Sequence, residues 1–501
     1  MPSIPPGEVR LQAVDLTNCD KEQIHIPEAV QSFGALLAFD DNNQITRISA
    51  NLPRLLGTPD TEGILGCNLS TVFEPKDIDS ILKASSGTGW QIYHCVTSSG
   101  LSVNVLLHDS GRERYIDLIP VDEIHNEPNT ATILLDFVSR ASKTTTVLAL
   151  AELLARTVRS ISKFDRVKVY KFDKEWNGEV IAENRDAKAP SYLGLHFPQS
   201  DIPKQARELY QRNKVRVIAN VDGARTPLIS NEAGAPLDLS FSFVRSVSEI
   251  HLQYLRNMGV AASMSLSIFN DNKFWGLVAC HHYSPRTVTF QEAALYEALS
   301  DICSGRLADL DKVEKAEIEA ESLRNVQEIA KNVSGSGKLQ TLLQGRPKMQ
   351  DLIESTAAII CLDGQIMKTG AAPDDLTISK LVNWLERGRE DIVAFDDLPE
   401  RFSEEIGAYA CGLLAASLGE RSKSWIIWLR FEITKEVNWA GDPYKPAEET
   451  PFGTRLYPRS SFELWKEVKR GTSAPWLDWE SETAKSLSQL ISRFLASGQV
   501  T

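Results

Sequence analysis

Seven residues between positions 216 and 281 carry groups that bind acidic ligands or exchange protons: Arg216, Arg245, Ser248, His251, Ser263, Ser265 and His281. Guanidinium groups give paired donors to carboxylates and phosphates. In the run SMSLS, small hydroxyl residues alternate with apolar ones, so a strand there would place Ser263, Ser265 and Ser267 on one face. The residues indicate a site for an acidic ligand. The alternative is that these serines are merely solvated.

The histidines and cysteines do not predict a metal site. Cys280 and His281 are adjacent, so they would face opposite sides of a strand. Acidic or thiolate partners at ligand spacing are missing from the sequence around them. The seven cysteines are scattered without a CxxC pair, which argues against both zinc and a disulfide framework. No metal is therefore expected, and Cys19 near the N-terminus is left to be explained.

The segment HFPQSDIPKQARELY places Asp201 between Pro198 and Pro203. Serine or aspartate before a helical run is common at a helix N-cap. The functional interpretation is that a carboxylate or a backbone carbonyl is held rigidly over a ligand. The segment alone leaves both open.

Apolar patterning predicts three mixed domains that position these residues. In the first, residues 1–125, strands alternate with turns from Gly34 to Leu52 and from Trp90 to Leu118. A polar stretch near residues 126–130 is a linker. The second domain, residues 131–310, begins with helical periodicity from Ser139 to Ser162. Its predicted strands cover residues 166–172, 179–183, 263–269 and 275–281.

The third domain, residues 311–501, is predicted to follow a long helix over Phe290–Ala330. About 40 residues of helix span roughly 60 Å. That helix is either a solvated surface helix or a connector that also offers a dimer seam. Residues 439–476 form an insert rich in proline, glycine and aromatic residues, and a loop of that length is uncommon without a function. A last helix is predicted over Glu482–Leu495.

Composition excludes several classes of protein. The chain has 501 residues, 42% of them hydrophobic and 24% charged, which is typical of a multidomain globular protein. Its net charge of −13 disfavours nucleic acid and anionic membranes as partners. No stretch approaches the roughly 20 apolar residues of a membrane span, and the first seven residues lack the apolar core of a signal peptide. A cytoplasmic location is expected.

Ordered motifs along the chain resemble the bacteriophytochrome family. FPQSDIP, VRSVSEIHLQYLRNMGVAASMSLSI and WGLVACHHYSPR resemble three stretches of its bilin-binding GAF domain. CDKEQIHIPEAVQSFGALLAFD and ISANLPRLLG are similar to its N-terminal extension and PAS domain. WAGDP and PRSSF resemble the two marks of the PHY-domain "tongue", here about residues 437–476. The resemblance implies an α+β multidomain fold. Its PAS, GAF and GAF-like PHY domains have antiparallel sheets flanked by helices, are joined by long helices, and include a tongue hairpin.

The resemblance also implies a cofactor and its attachment. No cysteine flanks His251, whereas Cys19 is present, which is the pattern of family members that bind biliverdin IXα by a thioether from an N-terminal cysteine. The implied chromophore-binding residues are Tyr170, Phe197, Asp201, Ile202, Pro203, Arg216, Arg245, Ser248, His251, Tyr254, Ser263, Ser265 and His281. Within that set the arginines and serines are propionate partners, and His281 is the donor to the D-ring carbonyl. Tyr170, Phe197 and Tyr254 are walls around the D ring.

A light switch follows from the same resemblance. Red or far-red light would isomerise the methine bridge between rings C and D. Asp201 would exchange Arg459 for Ser461 as its tongue partner, which would refold the tongue and signal to an output domain. A parallel homodimer and a downstream output domain or response regulator are the implied partners.

Some features depart from the family or leave alternatives open. QSFGALL replaces the commoner QPHGALL, so Phe33 stands where a histidine is usual, and Leu195 favours a red-absorbing dark state. The sequence has no phosphoacceptor-helix, ATP-lid or GGDEF-like signature, so the chain is not expected to be an enzyme. The alternative function is a non-photochemical PAS/GAF sensor of a small ligand.

Overall fold

The computed structural model divides the chain into two units. The first contains residues 1–310 and 438–465, and the second contains residues 311–437 and 466–501. The described residues are 22–58, 63–83, 90–111, 113–121, 129–231, 235–388, 390–419, 424–444, 447–450, 453–456 and 461–498.

The helices and strands follow the predicted order. The strands are β1 Ala29–Gln31, β2 Ala35–Phe39, β3 Ile45–Ser49, β4 Ile92–Val96, β5 Ser102–Asp109, β6 Arg114–Pro120, β7 Arg166–Phe172, β8 Gly178–Arg185, β9 His196–Phe197, β10 Val215–Ile218, β11 Arg225–Ser230, β12 Ala262–Asn270, β13 Lys273–His282, β14 Ala357–Leu362, β15 Gln365–Gly370, β16 Ile392–Phe395, β17 Gly412–Ser417, β18 Trp425–Arg430, β19 Lys435–Ala440, β20 Ala447–Thr450, β21 Gly453–Leu456 and β22 Leu464–Lys469. The helices are α1 Leu52–Leu55, α2 Pro75–Lys83, α3 Thr130–Ala141, α4 Val147–Ser162, α5 Lys204–Arg212, α6 Glu249–Asn257, α7 Phe290–Ser336, α8 Thr341–Gln344, α9 Met349–Leu352, α10 Asp375–Leu385, α11 Leu398–Arg401 and α12 Asp478–Ala496.

The first domain contains a seven-stranded sheet with an inserted strand. Its order is β1-β11-β3-β2-β6-β5-β4, and β11 comes from the second domain's part of the sequence. Strand β11 pairs antiparallel with both β1 and β3. Every residue of β2 is buried, because its alternate side chains pack into two different cores. The first and second domains therefore share backbone hydrogen bonds.

The second domain has a sheet of order β10-β12-β13-β7-β8-β9, which β19 and β22 continue. One face of this sheet packs on α4 and the start of α7, with Val169, Met264 and Val278 in the core. The opposite face carries Ser263, Ser265 and His281, as the alternation of side chains along β12 and β13 requires. This polar face is where the candidate site lies.

The predicted helix from Ser139 to Ser162 is wrong as a single element. The structure has α3 and α4 with a break between them, and Thr146 begins α4 by accepting a hydrogen bond from the Ala149 amide at 3.1 Å. The break falls at KTTT, where three threonines disfavour helix and favour a cap. Helices α7 and α12 are both longer than predicted.

The second unit contains a five-stranded sheet of order β15-β14-β18-β17-β16. Both faces of this sheet are apolar: Ile360 and Trp428 pack into one core, and Ile359 and Ile427 pack into another. The two buried indole nitrogens of β18 both donate: that of Trp428 to the Met349 carbonyl at 3.0 Å, and that of Trp425 to Glu386 Oε1 at 2.6 Å. The sheet has no polar face comparable with that of the second domain.

Within the described ranges, no helix is both long enough and apolar enough to cross a membrane.

Candidate functional site

A cavity of about 700 Å³ lies against the polar face of the second domain's sheet. Its walls come from Glu22 and Ile24 near the N-terminus, from the residues around α5 and α6, from β10 and β12, and from Pro443. Cavities of roughly 300–1,000 Å³ are typical of small-molecule sites. Ten predicted site residues line it: Asp201, Ile202, Pro203, Arg216, Arg245, Ser248, His251, Tyr254, Ser263 and Ser265.

Two arginines in this wall have donors without acceptors. The Arg216 Nη2 donates to the backbone carbonyls of Arg245 and Ser246 at 2.8 and 2.9 Å. The Arg216 Nη1 and the Arg245 Nε and Nη1 are buried and have no hydrogen-bond partner within the described residues. A buried guanidinium without an acceptor is costly. The pair is therefore built for an anionic ligand.

Electrostatics support the same conclusion. Burial and the neighbouring charge of Arg245 lower the pKa of Arg216 well below its usual value. Burial lowers the pKa of Arg245 to about 10. A guanidinium group stays charged in proteins, so two like charges face one cavity. A ligand carrying negative charge would relieve both the desolvation and the repulsion.

The serines differ in what their hydroxyls contact. Ser265 lies directly across from Arg216 in the β10–β12 pairing, and Ser263 lies across from His281 in β13. Ser248 donates to Glu22 Oε2 at 2.8 Å. Ser267 shares the strand face but donates to the Tyr210 carbonyl at 2.7 Å. Ser265 therefore stands beside Arg216, with which the sequence groups it, whereas Ser263 stands beside His281.

Both predicted histidines are held neutral. Burial and the charge of Arg216 lower the pKa of His251 to about 4. Burial, followed by the charges of Lys168 and Arg166, holds the pKa of His281 well below its usual value. The His281 Nδ1 has no hydrogen-bond partner in the described part of the chain. A neutral imidazole gives one donor and one acceptor, which suits polar contacts with a ligand.

Among the described residues, no group of three or more His, Cys, Asp or Glu side chains is arranged to hold a metal ion.

Asp201 is not a helix N-cap. It ends a short 3-10 helix, Gln199–Asp201, whereas Pro203 occupies the N-cap of α5. Its Oδ2 accepts a hydrogen bond from the Tyr254 hydroxyl at 3.1 Å. The Tyr254 ring in turn packs edge-on against Phe462 at 5.1 Å. Asp201 is thus connected through one aromatic residue to the segment after β21.

Tyr170, Phe197 and His281 are not among the residues that line the cavity. Tyr170 and Phe197 belong to an adjacent aromatic cluster, with ring centroids 5.7 Å apart, and the Tyr170 hydroxyl donates to the Phe197 carbonyl at 3.4 Å. Ile202 both lines the cavity and packs on this cluster. Gly178 leaves space for the Tyr170 ring of this cluster, since a Cβ on residue 178 would lie 1.7 Å from that ring.

The insert predicted as a tongue is in a β form and is attached to the second domain. Trp439 of β19 pairs in parallel with His196 of β9, and Ala440 is buried in the aromatic cluster. Strands β20 and β21 form an antiparallel hairpin. Ser461 is exposed, and its hydroxyl accepts a hydrogen bond from the Glu463 amide at 3.3 Å. Arg459 lies outside the described residues.

Cys19 also lies outside the described residues. Glu22, three positions later, lines the cavity. Of the six described cysteines five are buried, and none lines the cavity; Cys67 is the partly exposed one.

Sequence reasoning missed Lys168 and Arg166. Both are buried on β7, and the Lys168 ammonium lies 4.4 Å from the centre of the Phe197 ring. Charged residues alternate with valines in RVKVYKF, and this period-2 pattern was a usable signal. Sequence reasoning also missed Phe33's partner: its ring packs edge-on against Phe243 at 6.1 Å.

Comparison with known proteins agrees with this arrangement. The chain matches the "PAS fold" model over residues 19–121, the "GAF domain" model over residues 146–307 and the "Phytochrome region" model over residues 323–499. It is 31% identical over 500 residues to a bacteriophytochrome of Xanthomonas campestris, covering 95% of this chain and 78% of that protein. The chain belongs to the phytochrome family. Its three domains form a PAS-GAF-PHY photosensory core, as the sequence predicted.

Other phytochromes are similar over nearly the whole chain. Cyanobacterial phytochrome B of a Nostoc species is 34% identical over 495 residues, covering 95% of this chain and 66% of that protein, so the chain spans less than two thirds of that relative. The crystal structure of a bacteriophytochrome from R. palustris is 32% identical, has a TM-score of 0.86 and covers 96% of this chain and 99% of that one. The photosensory core module of a Stigmatella aurantiaca phytochrome is 34% identical, with a TM-score of 0.84 and coverages of 97% and 99%.

Proposed function

We propose that this phytochrome is a red/far-red photoreceptor that holds biliverdin IXα in the 700 Å³ cavity, attached by a thioether to Cys19. The observation that carries the proposal is the pair of buried arginines at the cavity wall whose N–H groups have no hydrogen-bond partner among the described residues. A bilin has two propionates and a large apolar body, which fits two cationic donors beside apolar walls. When bound, the bilin supplies light absorption and isomerisation at its C/D-ring methine bridge.

Each cavity residue then has a defined task. Arg216 and Arg245 bind the propionates, with Ser248, Ser263 and Ser265 as neutral donors. The backbone carbonyl of Asp201 and a water held by His251 accept from pyrrole N–H groups, and the low pKa that keeps His251 neutral supports its role in holding that water. His281 donates to the D-ring carbonyl. In support of this role, the Nδ1 of its imidazole has no hydrogen-bond partner among the described residues, so the imidazole can form a further hydrogen bond. Tyr170, Phe197 and Tyr254 are walls around the D ring, and Ile202 and Pro203 close the cavity.

Asp201 is the proposed switch. Its contact with Tyr254, and the contact of Tyr254 with Phe462, give it a physical route to the tongue. We infer that Asp201 pairs with Arg459 in the red-absorbing state and with Ser461 in the far-red-absorbing state. Exchange of one charge-assisted partner for another would refold the tongue from hairpin to helix. The local bond of Ser461 to Glu463 is compatible with a hairpin that precedes the exchange.

Domain ranges and partners extend the proposal. The ranges 1–125, 131–310 and 311–501 are supported by family-model matches that fall inside each of them. A parallel homodimer is supported by the exposed apolar side chains Leu135 and Val138, one turn apart on α3. The chain would act in the cytoplasm as a sensor, not as an enzyme, and would signal to an output domain or a response regulator.

Attachment to Cys19 is tested by assembling the protein with biliverdin and then denaturing it in acid. The wild type and Cys67→Ser, a matched control at the partly exposed cysteine, should keep the pigment on the polypeptide. Cys19→Ser should release it into organic solvent. Pigment that stays bound to the Cys19→Ser polypeptide would remove Cys19 as the attachment site.

A further inference from the structure

Segment 242–246 determines where both cavity arginines lie. It contains Arg245, and its backbone carbonyls at Arg245 and Ser246 accept from Arg216. The segment belongs to no helix or strand, and its one β-type pairing among the described residues is an isolated bridge between Arg245 and Val30. Beyond the two hydrogen bonds from Arg216, its position therefore depends on contacts from outside the second domain's sheet.

Those contacts come from the first domain. The Gln31 amide donates to the Val244 carbonyl at 2.8 Å, and the Gln31 side chain donates to the Arg245 carbonyl at 3.1 Å. The Ser246 amide donates to the Ala29 carbonyl at 3.0 Å. Strand β1, which contains both first-domain residues, thus holds the C-terminal half of the segment.

Asp117 of β6 holds the N-terminal half. Its carboxylate is fully buried, and it accepts from the Ser242 hydroxyl at 2.8 Å and from the Phe243 amide at 2.6 Å. The His108 Nε2 lies 3.0 Å from the same carboxylate. A buried carboxylate is retained only where several donors satisfy it. Two of the donors to Asp117, Ser242 and Phe243, lie just before Arg245 and Ser246, which line the cavity.

The charge of Asp117 also acts on Arg216. It raises the pKa of Arg216 against the larger effects of burial and of Arg245. A carboxylate near this guanidinium makes it less costly to keep Arg216 charged before a ligand is present.

We propose that Asp117 is a positioning residue for the anion-binding arginines: its hydrogen bonds to Ser242 and Phe243 fix segment 242–246. The PAS domain would thereby tune how the GAF cavity binds the acidic groups of its ligand. This inference rests on the proposed function, because it takes those acidic groups to be the bilin propionates.

The test compares two ligands in a reversible background. In the full chain with Cys19→Ser, affinities are measured for biliverdin and for biliverdin dimethyl ester, which lacks the two carboxylate charges. Asp117→Asn should lower the preference for biliverdin over the ester by at least about fivefold, because segment 242–246 then no longer holds Arg245 and the carbonyls that accept from Arg216 in place. A merely structural role would weaken both ligands equally. Hydrogen exchange of the apoprotein should also become faster at the amides of segment 242–246.

Asp77→Asn is the matched control. Asp77 is a buried carboxylate of the same domain, and it accepts from the Tyr93 hydroxyl at 3.0 Å without contacting segment 242–246. It should leave the ligand preference unchanged, since distant sites act independently. An unchanged preference in Asp117→Asn, or an equal loss in Asp77→Asn, would overturn the inference.

Ser242→Ala serves if Asp117→Asn fails to fold. It keeps the buried charge and removes one of its donors, so the preference should fall in the same direction by about twofold, as for loss of one indirect contact. No change in Ser242→Ala would overturn the inference. A parent protein that binds biliverdin and its ester equally would overturn the proposed propionate contacts as well, which separates the two failures.

Discussion

The central sheets of the GAF and PHY domains share an antiparallel build but differ on one face. In PHY strand β14, Ile359 and Ile360 alternate into two dry cores. In GAF strand β12, Met264 and Leu266 enter a core, while Ser263 and Ser265 face a cavity. The apolar face of each sheet explains why it folds. The opposite face of the GAF sheet has polar groups without hydrogen-bond partners among the described residues, and these groups indicate what the GAF domain binds.

Ionisable groups show the same contrast. All eight histidines precede residue 283, so the PHY domain has none. The cavity wall of the GAF domain has two arginines with unpartnered donors and a histidine of lowered pKa. Burying such groups destabilises the apoprotein. A bound ligand that pairs with them offsets this cost. The GAF domain therefore gives up stability for binding, and the following changes test that difference.

The largest expected effect is from making the PHY sheet polar. Ile359→Ser buries an unpaired hydroxyl and leaves a void, and should lower the free energy of unfolding of the PHY domain by about 3–5 kcal/mol. Ser265→Ala on the corresponding GAF face should change the free energy of unfolding by less than about 1 kcal/mol. Urea titration followed by tryptophan fluorescence measures both. Equal losses would mean that the two faces do not differ.

Acid should weaken the first unit through its histidines. The pKa of His251 is lowered to about 4 and that of His281 is also lowered, so the unfolded chain takes up protons first as pH falls below about 6.5. Stability is then complete above that pH and is lost toward pH 4. Urea unfolding of the apoprotein should show a loss of at least about 2 kcal/mol between pH 7 and pH 5, which is the contribution of His251 alone.

The double variant His251→Gln/His281→Gln should flatten this pH dependence. His94→Gln, at an exposed histidine of the first domain, is the control and should leave it unchanged. A double variant with the parental slope would show that these two imidazoles are not protonated on unfolding.

Removal of one cavity cation should separate binding from stability. Arg245→Met loses donors that have no partner in the apoprotein, so its free energy of unfolding should stay within about 1 kcal/mol or rise. Its affinity for biliverdin should fall by about 2 kcal/mol, or roughly thirtyfold, while that for the dimethyl ester should hardly change. Isothermal titration in the Cys19→Ser background measures this. An equal loss for both ligands would contradict a propionate contact.

The smallest expected effect concerns the switch. Asp201→His removes the acceptor of the Tyr254 hydroxyl and should lower the quantum yield of photoconversion by about tenfold, with a rise in fluorescence, as for loss of one charge-assisted hydrogen bond. Asp222→His, at an exposed aspartate of the same domain, is the control. A photocycle unchanged by Asp201→His would remove Asp201 from the switch.

Local patterns predicted much of this molecule, whereas long-range contacts escaped prediction. Alternation predicted the polar face of β12, because a half-buried strand repeats every two residues, and an apolar run before a polar turn predicted β2. The break before Thr146 was missed, because a threonine cap competes weakly with helical periodicity. Asp117 was missed because its partner Ser242 lies 125 residues away, and no local pattern encodes such a contact.

The most direct test of the account is the absorbance of the protein assembled with biliverdin, recorded in darkness, after red light and after far-red light. The account predicts a pigmented protein whose red and far-red bands exchange reversibly, with the red-absorbing state stable in darkness. Bound pigment whose spectrum does not change with light would contradict the photoreceptor function. Failure to bind biliverdin at all would contradict the assignment of the cavity and favour a sensor of another small ligand.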